Sequence, residues 1–149
     1  KINSDNTIIV NNIGAENINY ITDKIFQSFI KLPLSGISKY IKYAHFHPKH
    51  PENHNIKITN KKMKYVEVKE NNKWLLKHKK TVLEDLVENG FMAIEEYKDF
   101  NEEKLDKLLL KRFKKMSECY ESCYNTIREQ VELEVLNGTR ELIEKNIIV

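Results

Sequence analysis

Across residues 43–60, YAHFHPKHPENHNIKITN, the hydrophobic pattern of the chain changes its period. Upstream, apolar residues recur at three- and four-residue spacing, as on one face of a helix. Downstream they alternate, as on a strand buried on one side. Pro48 and Pro51 fall inside the junction and force an extended, non-helical course through it. Four of the five histidines, His45, His47, His50 and His54, lie in the same stretch. A chain built this way joins a helical part to a small sheet, which is an α+β architecture. At 149 residues it forms one domain, or one domain with a helical extension. That length buries about two-thirds of the unfolded surface.

On the N-terminal side, residues 1–13 read as a linker or an edge strand, with one β-branched run at Thr7–Val10. Glu16–Lys31 has helical spacing through Ile18, Ile21, Ile25, Phe26, Phe29 and Ile30, and Thr22-Asp23 offers a later start. Pro33 marks a break, and Ile37–Ala44 forms a second helix that Ser35 or Gly36 can cap.

On the C-terminal side, Asn55–Thr59, Met63–Val68 and Trp74–Lys77 are the strands of an antiparallel meander. Asn71-Asn72 supplies a turn that tolerates positive φ. Val66 and Val68 share one face, and Met63, Tyr65 and Glu67 the other. Thr81-Val82-Leu83-Glu84 has the form of a capping box. The helix it opens pauses or continues at Asn89-Gly90.

Residues 101–149 complete the chain as a long helix plus a short one. From Leu105 to Val135 apolar side chains form one stripe of about 3.7 residues per turn. A helix over 101–136 would be roughly 50 Å long, longer than a domain of this size. Either it projects and pairs with another copy of the chain, or it breaks and folds back. Asn137-Gly138 is placed to end it and Thr139 to cap a last helix. A homo-oligomer through 101–136 is therefore expected, with 14–100 as the core domain.

Charge narrows the function classes without choosing one. The formal net charge is +3, too balanced to announce a nucleic-acid-binding protein. Residues 39–80, however, carry twelve Lys against three Glu, a local excess of about +9. Lys57, Lys61, Lys62 and Lys64 are the candidate nucleic-acid contacts. No apolar run approaches the ~18 residues that span a bilayer. Cys119 and Cys123, four apart on a helix, are poorly placed to bond each other and read as reduced, buried small hydrophobes.

The histidine stretch admits three kinds of chemistry. His45, His47, His50 and His54 are imidazole ligands in number enough for zinc. A nuclease of the ββα-metal class would use His45 or His54 as base and Asn53 or Asn55 to orient it. The plainest alternative is architectural: His45 packs at a helix end, and Pro51, Glu52, Asn53, His54 and Asn55 make a rigid, internally hydrogen-bonded turn that aims the first strand. We find no phosphate-binding glycine loop and no nucleophile with an evident base.

The run from His45 to Ile56, with Ile58 and Asn60 beyond it, resembles a motif in proteins of giant DNA viruses of the mimivirus kind, approximately HFNPxxPENHN. His47 stands here where that motif has Asn. Lys64-Tyr65-Val66, Lys73-Trp74 and Val82–Val87 match the strand, hairpin and helix downstream of the motif in those proteins, so the resemblance covers about residues 14–98. It implies a C-terminal module of a longer viral protein, often preceded by a C2H2 zinc finger outside this sequence. The resemblance also implies nucleic-acid association and a site of action in the host cytoplasm or a viral factory. The reading that results is a non-enzymatic interaction and oligomerisation module with no cofactor. A metal-dependent nuclease is the alternative.

Overall fold

A computed structural model describes residues 8–147. The fold is α+β, with two helices, a three-stranded antiparallel sheet and then three longer helices. The first helix, α1, is Asp23–Ile30. The Thr22 hydroxyl accepts from Ile25 N at its start, and Asp23 sits in the positive first turn. It therefore begins at the later of the two starts. Residues 16–20 are drawn out of helix by amide side chains: Asn17 N donates to Asn53 Oδ1 and Asn19 N to Asn17 Oδ1.

The second helix, α2, is Gly36–His45 and stands at the centre, in contact with α1 and with two later helices. Gly36 is required there, because a Cβ would run into the Phe29 carbonyl. Ile37 and Ile41 are fully buried, each such side chain contributing about 1.5–3 kcal/mol.

The strands are β1 Ile56–Lys57, β2 Tyr65–Glu70 and β3 Lys73–His78, in that spatial order. Asn71 and Asn72 take φ of 51° and 61°, the two positive values a tight hairpin turn needs. Val66 and Val68 face the core with Ile56 and Ile58, and Tyr65, Glu67 and Lys69 face away. Met63 lies in an exposed turn before β2 and does not open the strand. Ile8–Val10 forms no strand, and Thr7 lies outside the described residues.

Helix α3 is Lys79–Phe100. It starts two residues before Thr81, and its N-cap, His78, makes no side-chain capping bond, so the Thr81–Glu84 box is not used. It also runs unbroken through Asn89-Gly90. Gly90 is buried where Ile37 and Tyr40 of α2 come close, a Cβ there lying 3.0 Å from Ile37 Cγ2.

Beyond Phe100 the single long helix does not form. A short 3-10 turn over Glu102–Lys104 leads to Asp106, whose carboxylate caps helix α4, Lys107–Ser122. Cys123 leaves helical geometry at φ −120°, ψ 27°, and α5, Tyr124–Glu144, comes next. The break lets both halves lie on the domain: α4 against α1, and α5 against α2, α3 and β1. Leu109, Phe113, Met116, Ile127, Val131 and Val135 all join the one hydrophobic core. The apolar stripe that suggested pairing between copies is covered by the chain's own helices.

Asn137-Gly138 does not end α5. Gly138 sits beneath the Phe46 ring, where a Cβ would lie 2.6 Å from Cγ. Thr139, one residue on, caps nothing. Its buried hydroxyl donates to Val135 O at 2.7 Å and accepts from Ile58 N at 3.2 Å, which stitches α5 to the sheet. Ile147 packs against the core from the C-terminal end.

Glycine to alanine inside a helix usually gains close to 1 kcal/mol. At Gly138 the overpacking cost of about 1–3 kcal/mol dominates. Gly138→Ala is expected to lower the denaturant midpoint. A raised midpoint would show that Phe46 does not wedge over this glycine.

Candidate functional site

The motif stretch forms a buried latch of amides and imidazoles. His45 is the last residue of α2, and the chain leaves the helix through Phe46. It then turns, with His50 N bonded to His47 O, and enters a 3-10 turn at Pro51–Asn53. Proline at the first position of that turn is pre-set in φ and lacks the donor that would go unused. The turn delivers Asn53 and Asn55, both fully buried, under the N-terminal segment.

Asn53 uses its whole hydrogen-bonding capacity. Its Oδ1 accepts from Asn11 Nδ2 at 2.9 Å and Asn17 N at 3.2 Å. Its Nδ2 donates to Asn17 O at 2.8 Å and reaches the Tyr20 hydroxyl at 3.5 Å. Asn55 is as fully engaged. Its Nδ2 donates to Glu16 Oε2 at 2.5 Å and to the carbonyls of Asn11 and Asn12, and its Oδ1 lies 2.7 Å from His45 Nδ1. An amide oxygen only accepts, so His45 carries a proton on Nδ1. Its Nε2 lies 3.9 Å from Glu16 Oε1. Glu16 also accepts from Gly14 N at 2.8 Å.

Backbone bonds extend the latch. Asn11 N donates to Glu52 O, Ile13 N to Lys69 O and Lys69 N to Asn55 O. The segment from 10 to 20 and the end of α2 are thus held by one set of side chains, and the second strand is joined to them through the backbone.

The four histidines have separate tasks. His45 and His54 are 2% and 4% exposed. His54 Nε2 donates to His47 O at 2.7 Å. His50 stacks on Tyr20, ring centroids 3.6 Å apart, and meets Glu52 Oε2 at 3.1 Å. His47 packs edge-on to both Tyr20 and His50. Among the described residues no three histidine, cysteine or carboxylate side chains are grouped to hold an ion. Burial pushes the His54 ring below the usual histidine range, and its bond to His47 O only partly resists this. Burial, with the charges of His50 and Lys49, does the same to His47.

The lysines divide as well. Lys57 pairs with Glu67 Oε2 at 3.3 Å and lies 4.3 Å over the Trp74 ring, with its side chain only 13% exposed. It is part of the sheet surface rather than a free contact. Lys61, Lys62 and Lys64 are exposed on the β1–β2 connection, and no carboxylate among the described residues forms an ion pair with them. Cys119 and Cys123 are half-buried free thiols around the α4–α5 break.

The partners that sequence reasoning missed are Asn11, Asn12, Glu16, Asn17 and Tyr20. Their only signal is the density of asparagine before Thr22, a residue type whose side chain competes with helix for the backbone. Comparison with protein-family models, curated proteins and solved structures finds no match to this chain.

Asn55→Ala would remove a partner from the Asn11 and Asn12 carbonyls, from His45 Nδ1 and from Glu16. A loss of about 2–4 kcal/mol in unfolding free energy is expected. A loss under ~1 kcal/mol would mean the latch is not cooperative.

With its folded pKa depressed, His54 binds a proton more readily when unfolded. Its contribution is complete above the ordinary histidine value of about 6.5 and fades as pH falls toward the folded value. Unfolding at pH 7.5 and 5.5 should show stability falling on acidification, with a smaller fall in His54→Gln. Equal slopes in the two proteins would assign the loss to other groups.

Proposed function

We propose that this chain is a non-enzymatic interaction module of a viral nucleic-acid-associated protein, acting in the host cytoplasm or a viral factory. Its contact is the cationic β1–β2 connection. The observation that carries this reading is the exposure of Lys61, Lys62 and Lys64 without acidic partners, on a protein whose net charge is otherwise nearly balanced. The viral setting comes from the resemblance at residues 45–60.

The motif supports an architectural role rather than a reaction centre. A general base must reach a substrate proton through water or directly. His45 Nδ1 is taken by Asn55 and His54 Nε2 by a carbonyl, and both rings are buried. Asn53 and Asn55, the orienting groups of the nuclease alternative, hold the N-terminal segment instead. Because the 101–136 stripe is taken up by the core, the module works through its sheet side and not by pairing copies along that helix.

Each lysine that neutralises a phosphate releases counterion, steepening the salt dependence by close to 0.9 in log–log slope on duplex DNA. Replacing Lys61, Lys62 and Lys64 together by Glu is expected to weaken duplex binding at least tenfold at low salt and to flatten that slope by about 2–3. The melting temperature should stay within a few degrees. Unaltered binding removes this loop as the contact. Plasmid cleavage by untagged protein with Mg²⁺ or Mn²⁺ would replace the module by the nuclease.

A further inference from the structure

The sheet has an outer face that none of the described helices covers. Antiparallel pairing puts Tyr65 opposite His78, Glu67 opposite Leu76 and Lys69 opposite Trp74 on that face. Three of its members are open: Tyr65 is 45% exposed, Leu76 is 66% exposed, and His78 is exposed beside Tyr65 with ring centroids 5.1 Å apart; Glu67, Lys69 and Trp74 are half-buried, Trp74 against the core. Along β3 every residue but Trp74 is exposed. Large apolar and aromatic groups gathered on one open face of a small domain mark a contact surface.

The charge on this face is one-signed. Its one acid, Glu67, is answered within the sheet by Lys57. Lys61, Lys62 and Lys64 stand at one end of the face, on the connection that leads into Tyr65. Among the described residues none of these three has an ion-pair partner. A polyanion therefore suits the face better than a second copy, whose β3 edge would bring Lys73 and Lys77 against their own counterparts.

Two polyanions remain, and the rings distinguish them. A duplex keeps its base faces stacked inside and would use the lysines alone. A single strand offers base faces to aromatic and apolar side chains while its phosphates meet the surrounding cations. Outward side chains on β3 recur about every 6.8 Å along the strand, so Trp74, Leu76 and His78 make a row and not a single point. We infer that the outer sheet face is a platform for single-stranded nucleic acid, with bases laid on Tyr65, Leu76 and His78 and phosphates held by Lys61, Lys62 and Lys64. This rests on the function proposed above and names its substrate class.

The chain contains a single tryptophan, Trp74, on this same face. Its fluorescence reports occupancy directly. The experiment titrates the protein with a labelled oligothymidine of about twenty nucleotides, with a duplex of equal length and with poly-glutamate. It reads anisotropy and Trp74 emission together. The single strand should bind more tightly than the duplex and quench Trp74. Tyr65→Ala and Leu76→Ala should each lose about tenfold on the single strand and leave the duplex unchanged, while Tyr65→Phe retains binding. Far-UV circular dichroism confirms that the variants are folded.

If the alanine variants change neither affinity, or both equally, the platform is overturned while the lysine contact stands. If the triple Glu variant also changes neither, the lysine contact falls too. Poly-glutamate binding as tightly as oligothymidine, with the same Trp74 quenching, overturns the platform in favour of an acidic polypeptide.

Discussion

Two buried asparagine side chains, Asn53 and Asn55, set the geometry on which the rest of the protein depends. Neither reaches water, so each must find its partners within the chain. Those partners come from the N-terminal segment, from the end of α2 and from Glu16. Removing one amide would expose several unmatched donors and acceptors at once, and their shared loss makes the set cooperative. The helical half and the sheet are therefore fixed at one angle. The outer sheet face, with its lysine connection, inherits its position from that angle.

The same segment also keys the C-terminal helix. Phe46 comes directly after His45, and its ring lies over Gly138 of α5. Thr139 then meets the backbone of Ile58, just past β1. Three consecutive joints, the helix end, the glycine notch and the threonine bond, belong to one short path through the structure. Chemistry that looks reactive in the sequence is used here to hold elements together, and His45, His54, Asn53 and Asn55 are withdrawn from solvent as a result.

Much of this was legible in the residues. The change of period at 45–60 located the junction, and alternation at Val66 and Val68 oriented the sheet. Asn71-Asn72 identified the hairpin turn, which has the positive φ values expected. Thr22 announced the true start of α1. What could not be read was decided by partners far away in sequence. Gly90 and Gly138 look like helix ends because glycine is a poor helix former. Both lie mid-helix because another element presses on them, Ile37 in one case and Phe46 in the other. Asn11 and Asn12 looked like linker, and Asn17 like the first turn of a helix, until the buried amides they serve were placed beside them. Lys57 looked like its neighbours in the basic run, and only strand register gave it Glu67 and Trp74.

The corner at Cys123 has one further effect. In an unbroken helix, one added or missing residue turns everything beyond it by about 100° and would swing the buried stripe toward solvent. Here α4 packs on α1 and α3, and α5 on α2, α3 and β1, and the two meet at a residue already outside helical geometry. A length change confined to that corner can be absorbed there without rotating either helix out of its berth. The corner is thus the place where this C-terminal region can vary in length while each helix keeps its own alignment.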